Sequence, residues 1–420
     1  MPQLSSSHAA PADWPAPAPE ARASSAALAE QLRQEIIRAG GAISFSRYME
    51  QALYAPGLGY YSAGAAKLGA AGDFVTAPEI SPLFGRCIAR QVREALAAIG
   101  GGEVLELGGG SGALAEAALA QAETDAETGA GAPNGTGAGL AWNMLEPSPE
   151  LRARQQARLG DRVRWLDRLP HDFRGVIVAN EVADALPVER FTIVGGEPRR
   201  LGVGLAEDGF GWTLMPREPA SEPGLGPASG PASGLESGAA FAAVVRALET
   251  GRGAPFPEGY SGEFSPMLQP WVRSLADSLA AGLLLVIDYG LPRRELYSAE
   301  RSDGTLMCHY RHRAHGDPFL WPGLQDITAW VDFTAIAEAG VAAGLTLEGY
   351  TTQAAFLAGN GLDEMLAGAG RDAAGIMQAQ QAKRLLLPGE LGERFRVMGL
   401  GRGIAPPLAG FRMQDLANRL

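Results

Sequence analysis

Cysteine, histidine and long hydrophobic runs are all scarce in this chain of 420 residues. The two cysteines, Cys87 and Cys308, cannot build a disulfide framework, and neither lies at a spacing typical of metal ligands. No stretch of about 18 apolar residues could cross a bilayer, and the first residues lack the pattern of a secretory signal. We therefore expect a soluble, cytoplasmic protein with no metal site and no membrane insertion.

Positive charge is also in short supply. The chain has 35 Lys and Arg residues against 47 Asp and Glu, which gives a net charge of -12. Tight binding to a nucleic-acid backbone needs a basic surface, so nucleic acid is not expected as a partner. The hydrophobic fraction of 46% supplies a large core, enough for one elaborated α/β domain or two smaller domains.

Short apolar strands alternate with helical patterns from about residue 103 onward, which is typical of a parallel sheet covered by helices. The predicted strands are 103–107, 140–145, 163–166, 175–180, 283–287, 345–350 and 395–400. We predict a disordered tail at 1–24, a helical cap with a cofactor lid loop at 25–100, and an α/β domain at 101–420. Residues 123–139 and 216–240 are rich in small residues and indicate flexible loops, and 188–280 indicates a larger insertion.

A glycine-rich turn follows the first of these strands and precedes a helix. Gly108, Gly110 and Gly112 leave room for a ligand against the backbone, and the helix that starts at Ala113 directs free N–H groups to the same place. The spacing suits either a dinucleotide or S-adenosylmethionine. Glu106 favours the second, because a carboxylate beside the turn suits an amine and not a pyrophosphate.

Acidic residues at the ends of the next two strands extend this predicted site. Glu146 follows the second strand, where an acid can accept hydrogen bonds from ribose hydroxyls. Asp167 follows the third strand and is a candidate for binding the adenine amine. Upstream of the first strand, Asp73, Thr76 and Glu79 lie on a loop that we predict to fold over the cofactor. A helix-entry segment ahead of Pro82 is the alternative interpretation of that loop.

Five separated motifs resemble the MidA family of S-adenosylmethionine-dependent methyltransferases, which includes an arginine methyltransferase needed for respiratory complex I assembly. The motifs are Gly72–Ser81 with Phe84-Gly85, Glu106–Gly112, Ala179–Val188, Asp288-Tyr289-Gly290, and Pro322–Phe333. One departure is Gly109, where the family commonly has proline.

To the predicted α/β fold with its N-terminal helical cap and inserted α+β region, the resemblance adds a Rossmann-like seven-stranded methyltransferase sheet. It also implies S-adenosylmethionine as the methyl donor, a protein arginine as the acceptor, and a complex I subunit as a partner. Glu181 and Asp184, on the loop after the fourth strand, then become the candidate catalytic residues, because paired carboxylates can grip a guanidinium. Capping of a helix N-terminus is the plainer interpretation of both acids.

Two other functions are compatible with the sequence. A nicotinamide-dependent oxidoreductase would use the same glycine turn, although Glu106 and the lack of a recognisable hydride-transfer apparatus argue against it. A non-catalytic assembly factor would keep the fold to bind a partner. Cys308–His315 carries three histidines, but the interleaved arginines disfavour a metal site there.

Overall fold

The structure is a computed structural model, and it describes residues 11, 13–62, 75–128, 139–216, 237–368, 370, 372–405 and 407–420. Within these ranges no helix is both long enough and apolar enough to cross a membrane. Asp73 lies outside the described residues, and so do most of the two predicted loops at 123–139 and 216–240.

Helices and strands alternate along much of the described chain. The helices are α1 Pro19–Arg38, α2 Phe45–Tyr54, α3 Ala77–Ile80, α4 Pro82–Ala98, α5 Ala113–Thr128, α6 Pro149–Leu159, α7 Gly238–Arg252, α8 Leu268–Ser278, α9 Arg293–Leu296, α10 Phe333–Ala342, α11 Gln353–Gly359, α12 Leu362–Ala367, α13 Ala373–Leu386 and α14 Ala409–Arg412. The strands are β1 Ala42–Ser44, β2 Glu103–Leu107, β3 Trp142–Leu145, β4 Val163–Leu166, β5 Phe173–Asn180, β6 Glu189–Val194, β7 Glu197–Ala206, β8 Gly209–Leu214, β9 Ser261–Phe264, β10 Leu279–Leu291, β11 Met307–Tyr310, β12 Arg313–His315, β13 Asp326–Thr328, β14 Val331–Asp332, β15 Thr346–Thr352 and β16 Phe395–Arg402.

The chain forms two compact units, each assembled from separate segments. The first unit comprises the described residues of 1–66, 185–268 and 291–332, and the second comprises those of 67–184, 269–290 and 333–420. The chain therefore passes between the units five times. This division differs from the predicted one. The cap expected at 25–100 is split, with α1 and α2 in the first unit and α3 and α4 in the second, and the insertion consists of two segments and not one.

The first unit is built around an antiparallel sheet. Its strand order is β1-β7-β6-β9, with β8 paired to β7, and a smaller sheet has the order β12-β11-β13. Aromatic side chains fill the core between β6, α7 and β9, among them the buried Phe191, Phe241 and Tyr260. Aromatic and β-branched residues suit such a half-buried sheet face. Of the α+β region that the sequence predicts between 188 and 280, this unit contains the part up to residue 268.

The second unit contains the Rossmann-like sheet. Seven strands form its continuous path in the order β15-β16-β10-β5-β2-β3-β4. The pairs from β10 to β4 are parallel, whereas β16 runs antiparallel to both neighbours. All seven strands of the path correspond to predicted ones. Because β2, β3, β4, β5 and β10 are parallel, their carboxyl ends lie along one edge of the sheet.

Local sequence signals explain how the helices around this sheet begin. Ser81 and Ser148 accept hydrogen bonds from the N–H groups of Leu83 and Leu151 and so cap α4 and α6. A proline follows each cap at the first helical position, where its missing N–H costs nothing. Helices α4 and α5 then bury apolar side chains, such as Phe84, in one core with β2 and β5.

Three helix boundaries differ from the sequence-based predictions. Helix α1 begins at Pro19, so the tail predicted at 1–24 is too long, since proline is favoured at the first helical position. Helix α5 continues to Thr128, past the predicted loop start at 123, because its alanine-rich sequence favours helix. The sequence pattern between residues 361 and 385 predicts helix throughout, and the structure divides this stretch into α12 and α13.

Candidate active site

The glycine turn joins β2 to α5 with a backbone that only glycine adopts easily. Gly108, Gly110 and Gly112 have φ values of 58°, 54° and 82°. The N–H of Gly108 donates to the carbonyl of Leu145 at 3.0 Å, which ties the turn to the end of β3. A Cβ on Gly112 would lie 3.1 Å from the Leu159 side chain, so α6 passes close beneath the turn. The turn is therefore held by the end of β3 on one side and by α6 on the other.

Gly109 is the position at which this chain departs from the family pattern. A Cβ there would lie 3.0 Å from Met144 Cε and 3.4 Å from the carboxyl carbon of Glu106. The methionine side chain therefore occupies space that a proline ring at this position would need. Glycine at this position leaves room for the side chain of Met144, which is fully buried beside the turn.

Glu106 lies near the carboxyl end of β2 and is only 3% exposed. Its Oε2 accepts a hydrogen bond from the indole Nε1 of Trp142 at 2.9 Å. Burial raises the pKa of Glu106 to about 8; the Trp142 bond opposes this rise and the negative charge of Glu146 adds to it. The site thus holds a carboxyl group that is poorly stabilised as an anion until a cation lies beside it.

Glu146 follows β3 and is buried. Its Oε1 accepts from the N–H of Ser148 at 3.0 Å, and its Oε2 accepts from the side-chain amide of Gln155, also at 3.0 Å. Burial raises the pKa of Glu146, and these hydrogen bonds counteract that rise. A carboxylate can accept about four hydrogen bonds, so these contacts leave it able to accept a hydroxyl as well.

Gln155 is a residue that the sequence analysis missed. From α6 it donates to the carbonyl of Gly110 at 2.9 Å and to Glu146, while its own carbonyl accepts from the Trp165 indole at 3.0 Å. It is fully buried and lies between Leu151 and Leu159 on the buried face of the helix. A glutamine in such an apolar stripe was the available signal, because buried polar groups are normally hydrogen-bonded.

Glu79 contacts the glycine turn directly. It lies on α3, where it accepts a hydrogen bond from the Ser111 hydroxyl. Arg158 of α6 joins the same cluster, because its Nη1 lies 3.1 Å from Ser111 Oγ and 3.6 Å from Glu79 Oε1. Thr76 precedes α3 in an extended conformation, and its side chain makes no capping hydrogen bond. Through Glu79, the predicted lid loop therefore contacts the glycine turn. Arg158 is a second residue of the site that the sequence analysis missed.

Asp167 lies just after β4, but its environment differs from that of the other acids. Its side chain is 85% exposed and forms an ion pair with Arg152 of α6 at 2.6 Å. The structure therefore does not bring Asp167 into contact with the glycine turn or with Glu146. A role in binding adenine stays a prediction.

Asn180 ends β5 at the same edge of the sheet, and Glu181 follows it. The Asn180 amide donates to Glu181 Oε1 at 3.2 Å. Among the described residues, its own Oδ1 is buried without a hydrogen-bond partner. Glu181 has a φ of 55°, a left-handed conformation that is uncommon outside glycine and is concentrated at functional sites.

The loop after Glu181 is bound to a buried acid on β10. Asp288 Oδ2 accepts hydrogen bonds from the N–H groups of Val182, Ala183 and Asp184, at 3.2, 2.9 and 3.2 Å. Asp288 itself has no exposed surface, and Asp184 is only 5% exposed. The loop also approaches the glycine turn, since a Cβ on Gly108 would lie 3.4 Å from the Val182 side chain. These hydrogen bonds show that Asp288 caps the backbone of the loop.

Together these groups fit S-adenosylmethionine. The turn is built from glycines with positive φ, and Glu106, buried with a raised pKa, would be stabilised by a cationic amine. Glu146 retains capacity for a hydroxyl, and Asn180 Oδ1 could accept a further hydrogen bond. A pyrophosphate would instead bring negative charge next to two buried carboxyl groups, which is unfavourable.

The histidine-containing segment 308–315 forms a hairpin of β11 and β12 in the first unit, in which Cys308 lies opposite His315. Across the part of the chain that the structure describes, no group of three or more His, Cys, Asp or Glu side chains is arranged to hold a metal ion.

Comparison with known proteins identifies the family to which this arrangement corresponds. Residues 87–351 match a family model described as "Putative S-adenosyl-L-methionine-dependent methyltransferase". A crystal structure of a protein from Burkholderia thailandensis bound to S-adenosyl-homocysteine is 42% identical and has a TM-score of 0.85. The match covers 97% of this chain and 100% of that one.

More distant relatives have been given a more specific name. Protein arginine methyltransferase NDUFAF7, mitochondrial, from Danio rerio is 26% identical over 88% of this chain and 85% of its own length. The Drosophila melanogaster homologue is also 26% identical, over 78% of this chain and 72% of its own length. Both are named as mitochondrial proteins, and this finding overturns the cytoplasmic location expected from the sequence.

Proposed function

Because the chain belongs to this family of S-adenosylmethionine-dependent methyltransferases, we propose that its acceptor is the guanidinium group of a protein arginine. The observation that carries the proposal is the segment after β5, where Glu181 and Asp184 lie on a loop next to the glycine turn. Two relatives at 26% identity are named as protein arginine methyltransferases, which supports the same acceptor. The resemblance to the MidA family further favours a respiratory complex I subunit as the protein that carries this arginine.

The donor side of the proposed site uses the residues around the glycine turn. Gly108, Gly110 and Gly112 would let the cofactor lie against the backbone, Glu106 would pair with its amine, and Glu146 would accept from its ribose. Asp167 and residues of the lid loop (Asp73, Thr76 and Glu79) complete the predicted set. When bound, S-adenosylmethionine supplies a methyl group on a positively charged sulfur, which makes that carbon electrophilic.

The acceptor side depends on carboxylates that orient a guanidinium nitrogen. Arginine is always protonated in proteins, so its nitrogen is a weak nucleophile that requires accurate placement. Glu181 and Asp184 would hold the planar guanidinium through charge-assisted hydrogen bonds. In the transfer, a carbon–nitrogen bond forms as the carbon–sulfur bond breaks, and the nitrogen loses one proton. Glu181 would accept that proton, since it directly follows β5, which pairs with the strand that leads into the turn.

The oxidoreductase alternative loses its basis, because the glycine turn that suggested it belongs to a methyltransferase family. A binding experiment tests this directly. Thermal unfolding with S-adenosylmethionine, S-adenosyl-homocysteine and NAD, each added separately, should show stabilisation by the first two ligands only. Stabilisation by NAD alone would contradict the donor side of the proposal.

Transfer of a labelled methyl group into proteins of a cell lysate tests the acceptor. Mass spectrometry of the labelled band should find methylarginine, and a synthetic peptide with that arginine should be a substrate. Glu181→Gln and Asp184→Asn should each lower kcat/KM for the peptide by about 10- to 100-fold, because a hydrogen bond to a charged group contributes about 1.5–3 kcal/mol. Asp277→Asn, an exposed acid on α8, is the matched control and should not change it. Label found only on lysine, or none at all, would refute the arginine acceptor.

A further inference from the structure

We propose that Asp288 is a positioning residue, which fixes the backbone of Val182–Asp184 and thereby aims Glu181 and Asp184 at the acceptor. The inference rests on the proposed function, since it concerns the loop that would bind the guanidinium. Asp288 itself need not touch the substrate, because its effect is transmitted through the backbone of the loop.

The contacts of Asp288 are almost all with backbone N–H groups. Oδ2 accepts from three consecutive residues, Val182, Ala183 and Asp184, while Oδ1 accepts from the N–H of Tyr289 at 2.9 Å. Consecutive N–H groups that point at one anion form a concave binding site for that anion. A carboxylate is the side chain that can accept all four of these hydrogen bonds. Asparagine has a single acceptor oxygen, and its amide group would face N–H donors.

The preceding residue is held by the same strand. The N–H of Glu181 donates to the carbonyl of Ile287 at 2.9 Å, which continues the pairing of β5 with β10 by one residue. Ile287 and Asp288 thus bind, in order, Glu181 and the three residues after it. This arrangement maintains the left-handed backbone of Glu181, which a free loop would not favour.

The charge of Asp288 also affects the acid that it positions. Burial raises the pKa of Asp288 and repulsion from Glu181 adds to that rise, whereas the N–H groups of Ala183, Asp184 and Tyr289 lower it and so favour the carboxylate. Two nearby carboxyl groups at one edge of the sheet favour a cationic group beside Glu181. A guanidinium fits this requirement, whereas a neutral or anionic acceptor does not.

Asp288→Asn tests the proposal, and Glu348→Gln is its matched control. Glu348 is also a buried acid in the same sheet, on β15, and is 8% exposed. The assay uses the arginine peptide identified by the labelling experiment, at a temperature below unfolding, with rates expressed per folded molecule. Misplacing catalytic groups by about 1 Å costs about 100-fold in rate, so kcat/KM of Asp288→Asn should fall by about that factor. Its affinity for S-adenosyl-homocysteine should stay within about threefold of the wild-type value, while Glu348→Gln should match wild type in both quantities.

A merely structural role gives a different result. Asp288→Asn would then lower the melting temperature but leave kcat/KM per folded molecule unchanged, and this outcome would overturn the proposal. If the variant does not fold, hydrogen exchange of the wild-type protein provides the test. The amides of Val182, Ala183 and Asp184 should exchange slowly although they lie in a loop. Rapid exchange of all three amides would overturn the proposal. This test does not depend on the acceptor, so it applies even if the wild-type protein methylates no arginine and the proposed function fails.

Discussion

Replacing Glu106 with glutamine removes a carboxyl group whose ionisation is unfavourable in the free protein. Burial raises the pKa of this carboxyl to about 8, so most molecules carry a proton there at neutral pH. A cation beside a carboxyl group lowers its pKa by about two units. Binding of the cofactor amine should therefore release a proton from Glu106, about 0.8 per molecule at pH 7.

The same shift sets the direction and size of the pH dependence. Free Glu106 is protonated below about pH 8 and ionised in the complex above about pH 6, so affinity rises as pH increases between these values. With these two pKa values, the Kd of S-adenosyl-homocysteine should fall by about 25-fold from pH 6 to pH 8, and only slightly above pH 8. This factor corresponds to about 1.9 kcal/mol.

Isothermal titration calorimetry in two buffers of different ionisation enthalpy measures the number of protons released. The ligand amine also titrates, so the Glu106→Gln variant serves as the reference and its proton count is subtracted. Glu103→Gln is the matched control, because Glu103 lies on the same strand at the opposite edge of the sheet and pairs with Arg164. It should retain the full proton release. Equal proton release by wild type and Glu106→Gln would show that Glu106 does not bind the cation.

Three further substitutions test the surroundings of the turn. Gln155→Leu leaves the buried Glu146 without one of its hydrogen-bond donors. The free energy of unfolding, measured by chemical unfolding, should therefore fall by about 1–3 kcal/mol. An unchanged unfolding midpoint would contradict the assigned contacts. Glu79→Ala should weaken S-adenosyl-homocysteine binding in calorimetry while the melting temperature is retained. Equal affinity of the variant and the wild-type protein would show that Glu79 of the lid loop does not contribute to cofactor binding. Gly112→Ala places a Cβ at a left-handed φ of 82°, and should cost about 1–3 kcal/mol of stability, seen as a lower melting temperature.

The sequence was sufficient for the parallel sheet, because its strands carry strong local signals. Short apolar runs that end in turn residues predicted Glu103–Leu107 and Val163–Leu166 with the bounds that the structure has. The glycine turn was predictable for the same reason, since positive φ values at alternate residues require glycine. Boundaries such as the start of α1 were less certain, because proline can begin a helix or lie in an extended tail.

The contacts within the site could not be obtained in this way. Gln155 bonds to Gly110, 45 residues away, and Asp288 bonds to a loop more than 100 residues away. Only the order of strands in the sheet brings these partners together, and no local pattern encodes it. Asp288 was noticed as part of a motif, but its function as an anchor depends on the pairing of β5 with β10. Asp167 shows the opposite case, an acid in a suitable sequence position whose side chain points to solvent.

The five passages of the chain between the two units have a consequence for engineering. One passage leaves the second unit directly after Asp184, and another leaves it directly after Gly290, two residues past Asp288. A minimal methyltransferase made by excising the first unit would need new covalent joints at both points. Each joint would fall on the loop that we propose to receive the arginine or beside its anchor. Trimming the ends of the gene cannot isolate the Rossmann-like unit, and internal deletions would damage the part that a designer would most want to keep.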